Sequence, residues 1–180
     1  MQITVFQLGP LQTNCYIAAD ENTKACAVID PGDTGSKIAR WLREKGLTPR
    51  FILLTHGHFD HVGGVKVLLN QFPGLPVYVH PADTKLTPQL SRGLLWTDFY
   101  EEGDELVMDG ISFRVLHTPG HTPGGVCYAL GENLFTGDTM FDRGYGRTDL
   151  PGGDEAALMR SLRRLTPLRR TCRIFAGHEG

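Results

Sequence analysis

Short apolar runs separated by polar, glycine-rich joints set the pattern of this chain. Residues 3–8, 14–19 and 25–29 are runs of strand length, with Gly9-Pro10 and Asp20-Glu21-Asn22 between them. That pattern predicts an opening β-meander. The third run ends in Asp30-Pro31-Gly32-Asp33, where Asp30 either closes a turn or supports a metal shell. Asp33 or Thr34 is placed to cap the next helix, residues 36–45, where Ile38, Trp41 and Leu42 recur at helical spacing before Gly46. Phe51-Ile52-Leu53-Leu54 reads as a buried strand, 65–72 as a helix, and 77–79 as a strand closed by His80-Pro81. From 83 to 104 the pattern dissolves, with Pro88, Gly93 and Gly103 among Leu94, Leu95, Trp96, Phe99 and Tyr100. This stretch is a lid or substrate wall, or else its aromatics pack on the core surface. Residues 106–108 and 111–116 form a hairpin about Asp109-Gly110, and 126–130 with 133–136 form another, ending in Gly137-Asp138. Asp154 caps a helix that runs through Leu165, and 173–176 is a last strand that delivers Gly177-His178.

Composition narrows the class. A chain of 180 residues, 41% hydrophobic and 21% charged, suits one globular domain spanning 1–180. A net charge of −2 argues against a nucleic-acid partner, and no apolar span is long enough for a membrane. The first residues lack the basic-then-apolar order of a signal peptide. Cys15, Cys26, Cys127 and Cys172 are scattered and read as reduced thiols of a cytoplasmic protein, with a Cys15–Cys26 bridge left open. The arginines from Arg160 to Arg173 read as a solvated face in preference to an anion-recruiting patch. The expected partner is a small molecule, and the expected assembly a monomer or small homo-oligomer.

The joint after the buried strand holds the chemistry. Thr55-His56-Gly57-His58-Phe59-Asp60-His61-Val62-Gly63-Gly64 places three imidazoles and a carboxylate in a strand-to-helix turn. Such donors suit zinc, iron or manganese. His56 and His58 alternate and can face one cation, whereas the adjacent Asp60 and His61 point elsewhere and can serve a second. His121, fixed between two Pro-Gly turns, is the natural third nitrogen for the first cation. Asp138 follows an apolar strand as a bridging carboxylate would, although a plain turn Asp is the competing reading. His178 is the last ligand candidate; His117 reads as outer support or structural, and His80 as structural or exposed. A solvated histidine-rich loop is disfavoured by the strand–turn–helix context. The Gly-rich loop 142–153 carries Arg147 and Tyr145, assigned to substrate binding because arginine's fork matches a carboxylate; a structural Arg147–Asp149 contact is the rival.

The Thr-His-Gly-His-Phe-Asp-His run, the Pro-Gly-His-Thr-Pro-Gly loop, Thr-Gly-Asp after a strand and the late Gly-His follow one another in that order over nearly the whole chain. Together they resemble the metallo-β-lactamase superfamily. Gly146-Arg147-Thr148-Asp149-Leu150-Pro151-Gly152-Gly153 is similar to the small glyoxalase II-like, hydroxyacylglutathione hydrolase branch. The resemblance implies an α/β fold, an αββα sandwich of two mixed β-sheets flanked by helices. It implies two divalent cations, zinc first and iron or manganese as alternatives. One would lie on His56, His58 and His121, the other on Asp60, His61 and His178, with Asp138 bridging. The activity implied is thioester or ester hydrolysis by a metal-bridging hydroxide, with Asp60 orienting it and shuttling a proton. A lactonase or a one-iron persulfide dioxygenase is the enzymatic alternative, and a binding or electron-transfer module the non-enzymatic one. No cysteine ligand matches that of zinc β-lactamases, so antibiotic hydrolysis is not the expected activity. Glyoxalase II proper adds a C-terminal helical extension that supplies basic residues to glutathione; the sequence stops at Gly180 without one, which leaves glutathione specificity open, with the arginine-bearing loop as the alternative grip on a carboxylate. His178 lies close to that end, which predicts a weaker second cation site.

Overall fold

Strands that are apolar on both faces need cover on both sides, and the chain supplies it by stacking two sheets between helices. The computed structural model describes residues 1–179. Strands β1 (Gln2–Leu8), β2 (Thr13–Ala19), β3 (Ala25–Ile29), β4 (Thr48–Leu53), β5 (Val77–Val79) and β6 (Asp98–Phe99) form the first sheet in that order. The pairs β1/β2 and β2/β3 are antiparallel, and the rest parallel. The second sheet, ordered β11-β10-β9-β8-β7, contains β7 (Glu105–Met108), β8 (Ile111–His117), β9 (Val126–Leu130), β10 (Asn133–Gly137) and β11 (Arg173–Ala176). It is antiparallel except for β10/β11. Both sheets are mixed, as the expected αββα sandwich requires.

Alternation along the strands sorts their side chains into layers. Tyr16, Ala27, Leu53, Phe113, Tyr128 and Phe135 meet between the sheets. Ile17, Val28 and Ile52 point the other way, onto Ile38 and Leu42 of α1 (Gly35–Glu44) and Val65 and Leu68 of α3 (Val65–Gln71). Leu116, Cys127 and Leu134 cover the far side of the second sheet beneath Leu165 of α4 (Glu155–Thr171). The four-residue α2 (Phe59–Val62) carries Asp60 and His61. The inter-sheet layer is polar at one point. Tyr100 donates to the Leu54 carbonyl at 2.6 Å, and the Tyr128 hydroxyl lies 2.7 Å from the same oxygen. Both hydroxyls thus find the partner that burial demands.

Several local expectations change. Helix α4 does not stop at Leu165 but runs past Pro167 to Thr171. Proline removes one helical bond, yet Leu168 still packs on the outer layer, Cys172 N donates to Leu168 O at 2.7 Å, and Arg169 bonds the Asp142 carbonyl at 2.6 Å. Neither Asp33 nor Thr34 caps α1; the Asp33 carboxylate instead takes the Thr34 amide and hydroxyl, and Thr34 sits at a left-handed φ of 44°. Asp154 does cap α4, accepting from Ala157 N at 3.0 Å. Within the irregular 83–104 stretch, β6 extends the first sheet while Trp96 and Phe99 stack in the open. Cys15 and Cys26 are buried free thiols, not a bridge. Among the described residues no helix is long and apolar enough to cross a membrane.

His80 and His117 stack face to face, their rings 4.3 Å apart and 6° from parallel. His80 Nδ1 accepts from Ala82 N, and burial together with the neighbouring His117 pushes the His80 pKa down to about 4. An unfolded histidine titrates near 6.5. Between those values the unfolded chain holds a proton at His80 that the folded chain does not. Stability from this group is therefore full above the unfolded value and falls as pH drops towards the folded one. His80→Asn keeps an acceptor for Ala82 N and removes the titration. Urea denaturation at pH 7 and pH 5 should show a smaller loss of stability for the variant than for the wild type, and equal losses would refute the assignment.

Candidate metal centre

Strand direction decides where the ligand-type residues meet. β3 and β4 run parallel, and so, in the other sheet, do β8, β10 and β11. Their C-terminal ends carry Asp30, the 55–61 turn, the 118–125 loop, Asp138 and His178. A backbone bond from Val126 N to Thr55 O, 2.8 Å, ties the two sheets at this edge.

Two adjacent groups result. The rings of His56, His58 and His121 form a triangle with centroids 4.7–4.9 Å apart, all three buried. The ligand atoms of this trio lie within 4.8 Å of one another, as do those of Asp60, His61 and His178. Asp138 stands between the groups. Its Oδ1 is 3.3 Å from His61 Nε2, and its Oδ2 is 3.4 Å from both His121 Nε2 and His178 Nε2. His178 Nε2 also approaches Asp60 Oδ2 at 3.1 Å. Backbone crowds close: a Cβ on Gly177 would lie 2.3 Å from Asp138 Oδ1, and one on Gly146 would lie 1.9 Å from the Asp138 carbonyl.

The outer nitrogens explain why the inner ones point inward. Nδ1 of His121 meets the Arg147 carbonyl at 2.7 Å, that of His61 the Asp30 carboxylate at 2.8 Å, that of His178 the Leu11 carbonyl at 3.2 Å, and that of His56 the Thr55 hydroxyl at 3.1 Å. Where the acceptor is a carbonyl or carboxylate, Nδ1 carries a proton and Nε2 is turned towards the pocket. Nε2 of His56, His58 and His121 is buried without a hydrogen-bond partner. Each such orphan costs about 1–3 kcal/mol in a protein interior, and a cation at the centre of the triangle would satisfy all three. The donor set therefore fits a divalent metal ion.

The two groups differ in charge. Burial, then the neighbouring imidazoles, hold His56 well below its ordinary pKa and push His58 down to about 4. Burial also pulls on His61, but the carboxylates of Asp138 and Asp30 more than offset it, and its pKa is raised. Hydrogen bonds to Asp138 and Asp60 lift His178 to about 9. In the metal-free protein His56 and His58 are thus held neutral and electron-donating, whereas the second group pairs imidazolium with carboxylate.

Asp30, with two readings from sequence, bonds His61 and also accepts from Thr55 N and Thr55 Oγ1 at 2.8 and 2.6 Å. It adopts a left-handed φ of 51°, which Asp tolerates. His80 and His117 stand apart as the stacked pair, His117 bonded through Nε2 to the Pro123 carbonyl. Tyr145 is half exposed, and the Arg147 fork is closed on Asp149 at 2.6 and 2.8 Å. The premise of a loose His178 does not hold. Gly177 N bonds Gly137 O and Asn14 N bonds Gly177 O, each at 2.8 Å, and Tyr16 and Asn14 side chains grip the Ala176 carbonyl. Sequence reading missed Thr13, whose buried hydroxyl donates to Asp60 Oδ2 at 3.1 Å, and Asp83. Both partnerships span the fold, so neither leaves a local signal.

A four-layer αββα sandwich with this pocket at its strand ends defines a metallo-hydrolase. The chain belongs to the metallo-beta-lactamase superfamily, whose family model matches residues 8–178. Hydroxyacylglutathione hydrolase GloC of Haemophilus influenzae is 38% identical, over 99% of this chain and 91% of its own. Among solved structures, TTHA1623 in a di-iron-bound form is 39% identical with a TM-score of 0.86, covering 98% of this chain and 92% of its own. The BLEG-1 B3 metallo-beta-lactamase is 34% identical with a TM-score of 0.87, covering 99% and 92%.

Thr13→Val removes the hydroxyl that holds Asp60 while keeping the shape. In a metal titration it should weaken the binding event that His178→Ala abolishes by about tenfold, the difference one lost hydrogen bond to a charged group makes, and leave the event that His121→Ala abolishes unchanged. Equal weakening of both would show that Thr13 acts on the whole pocket.

Proposed function

We propose that this protein is a dinuclear thioesterase of the hydroxyacylglutathione hydrolase type. The observation that carries the reading is the triangle of partnerless Nε2 atoms beside a second, carboxylate-bearing group. On this reading His56, His58 and His121 would hold one cation and Asp60, His61 and His178 the other, with Asp138 standing between the two groups as a shared carboxylate. When bound, such a pair supplies Lewis acidity and a water whose pKa is lowered towards neutrality. The identity of the cations stays open between zinc, iron and manganese, and the di-iron form of TTHA1623 supports keeping iron among them.

The chain's own residues do the rest. Thr13 fixes Asp60 Oδ2, which leaves Oδ1 as the atom to carry a proton to the departing thiolate. A groove of about 540 Å³, walled by Leu8, Pro10, Leu11 and Phe59, opens onto Asp60 and gives an acyl chain a partly dry seat. Arg147 and Tyr145 are assigned to the carboxylate end of the substrate, although a substrate anion must displace Asp149 from the Arg147 fork. Arg92, held over the Phe59 ring at 5.3 Å and lining the groove, is a second cation for the same task. Lactone hydrolysis, persulfide oxidation and β-lactam hydrolysis are the competing activities.

A panel of thioesters, lactones and a chromogenic cephalosporin, assayed before and after chelation, should show chelator-sensitive thioester hydrolysis as the fastest reaction. Oxygen uptake with a persulfide, or faster lactone or lactam turnover, would replace the assignment. His121→Ala and Asp138→Ala should each lower the thioesterase rate by orders of magnitude, whereas His80→Ala should not; comparable losses in all three would overturn the ligand set. Arg147→Ala should raise KM for carboxylate-bearing thioesters more than for neutral ones. Equal changes would leave Arg147 with only its structural contact to Asp149.

A further inference from the structure

Asp83 lies in a 3₁₀ turn, Pro81–Lys85, and is fully buried. Its Oδ2 accepts from Gly57 N and from Thr122 Oγ1, both at 2.8 Å, and its Oδ1 accepts from Gly124 N at 2.6 Å. Gly57 is the residue between His56 and His58, and Thr122 directly follows His121. One carboxylate therefore joins the two loops that carry the imidazole triangle. Those loops are rooted in different sheets, one after β4 and the other after β8.

We propose that Asp83 is a positioning residue, a cross-brace between the 55–58 turn and the 121–124 loop that sets the affinity of the three-imidazole group for its cation. The proposal rests on the reading that His56, His58 and His121 share one cation. Three converging donors match a carboxylate, which only accepts, and do not match an amide, which offers a competing N–H. Among the described residues no Lys or Arg pairs with Asp83. Burial raises the pKa of its carboxyl, and the bonds from Gly57, Thr122 and Gly124 offset that only in part. A buried charge without a basic partner is costly to keep. Here it points all three donors at one oxygen pair and stations a negative charge behind the imidazoles. A displacement of either loop would spread the Nε2 triangle, and cation sites lose affinity quickly when their outer supports go.

The test is a Co(II) titration of metal-stripped protein, read by visible absorption, with thermal unfolding of each stripped sample. His121→Ala identifies the event that belongs to the triangle; if it abolishes none, the ligand assignment fails independently of Asp83. Asp83→Asn should raise the dissociation constant of that event about 10- to 100-fold and alter its spectrum. The event abolished by His178→Ala should move by no more than about twofold. Thr122→Val removes one of the three bonds and should raise the same constant several-fold without shifting the melting of the stripped protein. If Asp83→Asn does not fold, Thr122→Val carries the test alone. An unchanged triangle event in the folded variants, or equal weakening of both events, overturns the proposal.

Discussion

The bonds that hold the outer nitrogens of His121, His178 and His61 to fixed oxygens are the constraint on which this pocket depends. An imidazole can present either nitrogen, and a free ring would turn its N–H inward as readily as its lone pair. The Arg147 and Leu11 carbonyls and the Asp30 carboxylate remove that choice for His121, His178 and His61. Each acceptor in turn needs a reason to be where it is. The Arg147 carbonyl reaches His121 because Gly146 lets the chain pass against Asp138, where any side chain would collide. The Asp30 carboxylate stays in place because Thr55 donates to it twice. The precision of the pocket thus belongs to the backbone and is only expressed by the histidines.

The sandwich makes such precision affordable. The central strands of both sheets bury apolar side chains on both faces, and each full burial of a large aliphatic or aromatic side chain contributes roughly 1.5–3 kcal/mol. That surplus offsets a corner in which polar atoms are buried and imidazoles crowd one another. The polar atoms lie at strand ends, where the ladder has finished and backbone groups are free to bond side chains. Leu54 shows the transition: its amide still pairs with Tyr78 of β5, while its carbonyl already takes the hydroxyls of Tyr100 and Tyr128.

Much of this was legible in the sequence, and the exceptions share a cause. The strands and hairpins declare themselves by period and turn chemistry, and the His56–His61 run is confined to a single joint. His121, Asp138 and His178 each follow a strand or sit between rigid turns, so a strand order that gathers C-terminal ends gathers them too. Thr13 and Asp83 escaped because their partners lie 47, 26, 39 and 41 residues away. A threonine or aspartate in a turn has an ordinary local explanation, and only the fold supplies the other. The extension of α4 past Pro167 escaped for the same reason, since Leu168 and Arg169 are held by contacts across the fold. The tether on His178 is likewise distant, coming from residues 11–16 at the other end of the chain.

These long reaches tie the pocket to the docking of the two sheets. His56, His58, Asp60 and His61 follow a strand of the first sheet, whereas His121, Asp138 and His178 follow strands of the second. Either group therefore exists only when the sheets are face to face. A ligand that binds only the docked state stabilises it, by about 1.4 kcal/mol for each tenfold of free ligand above its dissociation constant. Asp83 and the 11–14 turn act on the same equilibrium from the protein side, each bonding elements from both halves. The partnerless nitrogens raise the free energy of the docked metal-free state, and the braces lower it. A pocket tuned in this way can stay assembled while empty and still keep its lone pairs unspent, which is what tight cation capture from solution requires.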